Sequence, residues 1–437
     1  MIRRILVFAA LILLFTACAS EERSQILKVY NWADYIDEEL IGEFEQWYEE
    51  QTGETVKIIY QTFDINETML SKIELGHEDY DVVCPSEYII ESMLKNDQLL
   101  PIQKEFGKTP DYTGNIAPFI KDMFSYIDGH GKNANDYAVA YMWGTVGLIY
   151  NPKYIAEDAA QSWNVLLNPD YKGKILMKDA FRDVYTSLLV ALNKDAIDAG
   201  TKDIRSISFD CSEESIALVE NFLNSFKESV SGWEADFGKE QMTKELAWMN
   251  LSWSGDAQWA IDEAAEIGLE LEYTIPSEGS SVWFDGWVIP KYAKNIKAAS
   301  YFINFMCMPK NALRNMDMTG YVSAVGGEDI LESMSDSEEY EAVDASYFFG
   351  EGADSVHVNH IMYPNRASIE RCAMMHDTDA EALLKMWSRV KGDSASAWTY
   401  ILICLVFSGL IGAVIYKYTK KRYRIRRKRH VQRKRYK

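Results

Sequence analysis

Aromatic residues stand beside carboxylates at five places in this 437-residue chain. Tyr30-Asn31-Trp32-Ala33-Asp34-Tyr35 and Pro85-Ser86-Glu87-Tyr88 each follow a short apolar run. Asp179, Arg182, Asp183 and Tyr185 open a helical stretch, and Trp253-Ser254-Gly255-Asp256 and Trp283-Phe284-Asp285 complete the set. Aromatic faces attract ammonium groups and cover methylene chains, while carboxylates neutralise the charge. One cation–π contact contributes roughly 0.5–2 kcal/mol. Several, joined by carboxylates, suit a linear polyamine. A buried ammonium without them is strongly unfavourable. Taken singly, each element also has a structural reading: Asp34 as a turn cap, Trp253 and Trp283 as core, Asp179 as an N-cap.

Standard catalytic signatures are absent. The chain has no GxGxxG, P-loop, HExxH or GxSxG. His357 and His360 lie in a loop-like stretch with no neighbouring ligand pattern, so no metal and no cofactor is expected. Acid richness leaves a carboxylate pair for glycoside hydrolysis open, without any local cue for an acid held protonated. The 45 Lys and Arg and 66 Asp and Glu are unevenly placed. Thirteen basic residues fall in 417–437 and two are Arg3 and Arg4, so 19–397 carries about −36. A body that acidic repels nucleic acid and attracts cations.

The elements that must position these residues alternate. Ile26–Trp32, Thr55–Thr62 and Asp81–Pro85 read as strands, separated by helices at 37–51, closed by Gly53, and at 65–75; a further helix follows at 86–96. Such alternation implies βαβ units, a parallel sheet and ligand binding at the strand C-terminal edge. The β-rich stretch 137–151 leads to a second lobe with helices at 156–167, 184–192, 212–229 and 253–267. A second β-rich stretch, 269–275 and 281–290, returns the chain, and helices at 296–308 and 377–391 follow.

Both termini point to a membrane. Arg3-Arg4, the apolar run Ile5–Phe15 and Thr16-Ala17-Cys18 read as a signal peptide, residues 1–17. The same segment resembles a lipobox in which Cys18 is lipidated, with Phe15 where that pattern prefers Leu; plain cleavage is the alternative. Residues 398–416 are 19 uncharged residues flanked by Trp398, Tyr400, Tyr416 and Tyr418, expected as a transmembrane helix. The basic tail 417–437 then faces the cytoplasm, against anionic headgroups rather than nucleic acid. Cys84 and Cys307, in apolar elements, are expected as buried free thiols. No disulfide pairing among Cys84, Cys211, Cys307 and Cys372 can be deduced from spacing.

Ordered motifs over 26–391 carry a family resemblance: VYNWADYID, TVKIIYQTFDINETMLSKI, YDVVCPSEYII, AYMWGTVGLIYN, NPDYKGKILMKDAFRDVY, SVWFDGWVIP and TGYVSAV. The chain resembles the substrate-binding proteins of bacterial spermidine/putrescine ABC importers. That resemblance implies a two-lobed α/β periplasmic-binding fold of type II, hinged on two crossing strands. The lobes are expected at 26–138 with 282–313, and at 139–281 with 314–394. It implies an extracytoplasmic, membrane-anchored receptor that performs no covalent chemistry and hands a polyamine to an ABC permease driven by a cytoplasmic ATPase.

The ligand-binding residues that it implies are Trp32, Asp34, Tyr35, Ser86, Tyr88, Trp253, Trp283, Asp285 and Tyr321. The acidic pair of the family maps best onto Asp179 and Asp183, although Phe181 intrudes and Ala180 is the competing register. Ala33 replaces a hydroxyl residue common in the family, and Met375 or His376 stands where Gln is usual. These departures bear on ligand length. The rival readings are a receptor of the same fold for ferric ion, an anion or another small ligand, and a carbohydrate-active enzyme.

Overall fold

The computed structural model describes residues 23–235 and 237–392. Strand Ile26–Trp32 pairs in parallel with Lys57–Phe63 on one side and Val82–Val83 on the other. Helices Glu39–Thr52 and Asn66–Glu74 make the crossovers. The first helix buries Leu40, Phe44 and Tyr48, one face at i, i+4, i+8, and Gly53 ends it in the left-handed region at φ 73°. Phe44 packs edge-on against Phe302 and Phe305 of the later helix Ile296–Met306.

Two long strands run through the centre of the sheet. Ala138–Tyr150 and Ser280–Pro290 are antiparallel to each other and buried at every residue. The path across the sheet is Lys57–Phe63, Ile26–Trp32, Val82–Val83, Ser280–Pro290, Ala138–Tyr150, Met249–Trp253, Ile175–Lys178, Val230–Glu234. The two long strands are thus the only link on this path between the N-terminal parallel strands and those from 175 to 253. Continuous burial explains their near-unbroken apolar sequence.

Several local expectations change. A single helix over 156–167 is replaced by a short helix Glu157–Ala160 and a 3-10 turn Trp163–Leu167. Ser162 separates them because its side chain accepts from the Asn164 amide and offers the backbone a cap instead of a continued helix. Strands Ile175–Lys178, Val230–Glu234 and Met249–Trp253, four or five residues each, were not announced by alternation. The expected lobe boundary between 313 and 314 falls inside helix Pro309–Thr319. That helix bonds to the N-terminal part of the chain: Arg314 pairs with Asp37 at 2.6 Å, and Asn315 accepts from the Asp37 amide at 2.9 Å. Cys84, Cys211, Cys307 and Cys372 are free thiols, and all but Cys211 are buried.

The fold class is corrected on one point. Among the described residues no helix is long and apolar enough to cross a membrane. The transmembrane helix expected at 398–416 lies outside the described residues, as do the signal segment with Cys18 and the basic tail. The architecture that stands is the α/β one, without a membrane-spanning helix among the described residues.

Candidate functional site

Alternation along the second long strand puts Trp283 and Asp285 on one face and Phe284 on the other, where it meets Phe119 and Phe124. The pairing register shifts between Asp285 and Gly286, and such a bulge re-aims the side chains beside it. Asp285 is 6% exposed. Its two oxygens accept separate hydroxyls: Tyr35 at 2.9 Å and Ser86 Oγ at 2.7 Å.

Those donors are themselves held. Asn66 Nδ2 donates to Ser86 Oγ and to the Tyr88 hydroxyl, both at 3.0 Å. The Tyr35 carbonyl accepts from Tyr141 at 2.9 Å and from Asn31 Nδ2 at 3.2 Å. Asp34, at φ 51°, makes the tight turn that brings Tyr35 back after the strand.

The electrostatics of this group are unbalanced. Burial pushes the Asp285 carboxyl up to about 7; the Ser86 and Tyr35 hydrogen bonds oppose the rise and the Asp183 charge adds to it. Asp183 rises to about 6, again through burial, offset in part by the Trp253 indole N–H at 3.2 Å and by Lys178 and Arg182. Glu87, fully buried, is pushed well above the carboxylate range by burial. Its Oε2 accepts the Phe284 amide at 2.9 Å, while Oε1 has no hydrogen-bond partner. Among the described residues neither Asp285 nor Asp183 has an ion-pair partner; their contacts are hydroxyls and an indole. Both acids are buried and take their hydrogen bonds from neutral donors.

Aromatic rings flank the acids. Tyr321 meets Trp283 edge-on at 5.5 Å and Tyr35 at 5.4 Å, and its hydroxyl donates to Asp256 at 2.8 Å. The rings approach the backbone so closely that two positions must be glycine. A Cβ on Gly255 would lie 2.3 Å from the Tyr321 ring, and one on Gly144 would lie 2.6 Å from the Trp283 ring. Gly255→Ala is therefore expected to displace Tyr321 and destabilise the fold by roughly 1–3 kcal/mol. Urea unfolding measures the loss, and a midpoint equal to wild type contradicts the close contact.

The expected site residues divide into two groups. Tyr35, Ser86, Trp283, Asp285 and Tyr321 are joined by the contacts above, and Asp183 and Trp253 form a hydrogen-bonded pair whose charge acts on Asp285. Tyr88 is buried behind them, its ring covered by the Arg182 guanidinium at 4.3 Å. Trp32 is half-buried against Phe63 at 4.5 Å. Asp34 and Asp179 are exposed; the Asp179 amide donates to the Glu234 carbonyl at 2.6 Å. Of the expected acidic pair, Asp183 is buried and its charge acts on Asp285, whereas Asp179 is exposed. His376 is engaged elsewhere, 3.0 Å from Glu91 and stacked on Phe209.

Sequence reasoning left out Asn66, Glu87, Tyr141, Lys178, Glu234 and Asp256 as site residues. Glu87 and Asp256 lay within the aromatic–acid pattern and could have been taken from it. Lys178 had no local signal.

The match of residues 43–342 to the family of bacterial extracellular solute-binding proteins covers more than half the chain, and the chain belongs to that family. It is 28% identical over 320 residues to the spermidine/putrescine-binding periplasmic protein of Escherichia coli K12, spanning 73% of this chain and 83% of that one. It is also 28% identical over 296 residues to a putrescine-binding periplasmic protein of Pseudomonas aeruginosa, spanning 66% and 75%. The solved substrate-binding protein of the spermidine/putrescine ABC transporter of Streptococcus pneumoniae superposes with a TM-score of 0.62 at 27% identity, over 84% of this chain and 98% of that one. The fold is the two-lobed α/β periplasmic-binding architecture.

Proposed function

We propose that the chain is an extracytoplasmic polyamine receptor of an ABC importer, binding putrescine or spermidine without covalent chemistry. The observation that carries the reading is the Asp285 carboxylate, buried between the Tyr35 and Ser86 hydroxyls and without a cation of its own. An alkylammonium supplies the missing charge to Asp285 and Asp183, and Trp283, Tyr35 and Tyr321 cover its methylenes. The chain's relatives, a spermidine/putrescine-binding and a putrescine-binding periplasmic protein, support the same ligand class and compartment.

Closure of the two lobes about Ala138–Tyr150 and Ser280–Pro290 would couple ligand capture to recognition by the permease. Ligand favours the closed state only by its differential affinity for that state, and groups from both sides of the long strands supply it: Tyr35 and Ser86 from one, Asp183 and Trp253 from the other. The family does not divide by fold alone, so ligand class rests on the site. An anion receptor is disfavoured by the same feature, since an anion would meet Asp285 and Asp183 without a neutralising group.

Calorimetric titration of the purified protein with putrescine and spermidine at pH 8 tests the reading. Saturable one-to-one binding in the micromolar range or tighter is the expected result. No heat with either amine, from protein that melts cooperatively, overturns it.

A further inference from the structure

Lys178 ends the strand Ile175–Lys178, and its side chain is 1% exposed. Its ammonium lies 4.1 Å from the centre of the Trp253 ring, 2.5 Å from Asp256 Oδ2 and 3.3 Å from Glu234 Oε1. An aromatic face with carboxylates around it is the environment that an alkylammonium ligand requires. Here the protein fills it with a side chain of its own.

This cage shares its walls with the ligand site. The Trp253 ring that Lys178 covers also reaches Asp183 through its indole N–H at 3.2 Å. The second oxygen of Asp256 accepts the Tyr321 hydroxyl at 2.8 Å, and Tyr321 in turn packs against Trp283 and Tyr35. Lys239 Nζ stands 3.6 Å from that same Asp256 oxygen. Two lysines therefore balance Asp256 and Glu234, whereas Asp285 and Asp183 are left for a ligand. Burial by itself would raise Asp256, yet Lys178 and Lys239 hold it below the usual carboxylate range.

We propose that Lys178 is a tethered ammonium that occupies the Trp253 end of the site and thereby restricts the ligand to short diamines, putrescine over spermidine. The inference rests on the polyamine reading above. A diamine brings two charges and finds two open carboxylates. A triamine brings a third, which would have to lie against Trp253, where Lys178 already stands and both acids are already paired. Like charge and lost desolvation compensation then act together against it.

Lys178→Gln removes the charge and leaves Asp256 with Lys239 and Glu234 with the Gly238 and Asn250 amides, so it creates a place for the third ammonium. Calorimetry with putrescine and with spermidine, on the full chain, reads the ratio of the two dissociation constants. Wild type is expected to favour putrescine at least tenfold, and Lys178→Gln to shift that ratio toward spermidine by tenfold or more. Should the unpaired acids prevent Lys178→Gln from folding, Lys178→Gln with Glu234→Gln removes one charge of each sign and is expected to shift the ratio in the same direction. A wild-type preference for spermidine, or an unchanged ratio in the cooperatively melting variant, overturns the proposal and leaves the polyamine reading standing. Wild-type protein that binds neither amine overturns both.

Discussion

Asp285→Asn is expected to weaken putrescine binding a hundredfold or more, about 2.7 kcal/mol, while the fold survives. The carboxylate is the group in the site held by two hydroxyls, at 2.7 and 2.9 Å, with no positive side chain to share it. Removing one partner of a buried charge pair leaves the other charge uncompensated, and losses of about 2–5 kcal/mol are usual. Asparagine keeps the shape and can still accept one of the two hydroxyl hydrogen bonds. Because burial disfavours the ionised form of Asp285, the neutral variant should melt no lower than wild type at pH 8 in the absence of ligand. Calorimetry and thermal melts check both statements. Wild-type affinity in folded Asp285→Asn removes this residue as the anchor.

The second large effect is on pH. The unfolded Asp carboxyl titrates near 3.8, whereas Asp285 and Asp183 in the folded chain titrate at about 7 and about 6. The folded state therefore binds more protons between these values. The stability these groups contribute is fully present below the unfolded value and is lost as pH rises through 6 and 7. Ligand-free protein is expected to melt higher at pH 5 than at pH 8, and Glu87, also raised by burial, acts in the same direction.

Ligand affinity runs the opposite way, because an ammonium needs the ionised carboxylates. From pH 8 to pH 5, protonation of Asp285 alone should weaken binding about a hundredfold, with Asp183 adding to the loss. Putrescine should accordingly raise the melting temperature strongly at pH 8 and little at pH 5. Asp285→Asn should flatten both trends. Affinity that is constant from pH 5 to pH 8 contradicts the assignment of these two acids to the ligand.

The sequence by itself determined what is local. Strand Ile26–Trp32 is found at its expected bounds, and the helix closed by Gly53 ends where its glycine permits the left-handed turn. Four of the aromatic–acid clusters lie at or just beyond strand ends, at the sheet edge where ligands bind, whereas Trp283-Phe284-Asp285 lies inside Ser280–Pro290. The residues named from these clusters and the family motifs include Tyr35, Ser86, Trp283, Asp285 and Tyr321, which the structure brings into contact.

Tertiary structure decided the rest, for a physical reason. Tyr35 and Asp285 are 250 positions apart, and Ser86 and Asp285 are 199. Which strand lies beside which is set by the packing of the whole sheet, not by any local pattern. The environments of the expected acidic pair were likewise set by packing: both are acids near one helix start, but one turn of helix carries Asp183 inward and leaves Asp179 exposed. Lys178 is the strongest case. A lysine in a four-residue strand reads as a solvated charge, and only the convergence of Trp253 and Asp256 from one place in the chain and Glu234 from another makes burial of its ammonium tolerable.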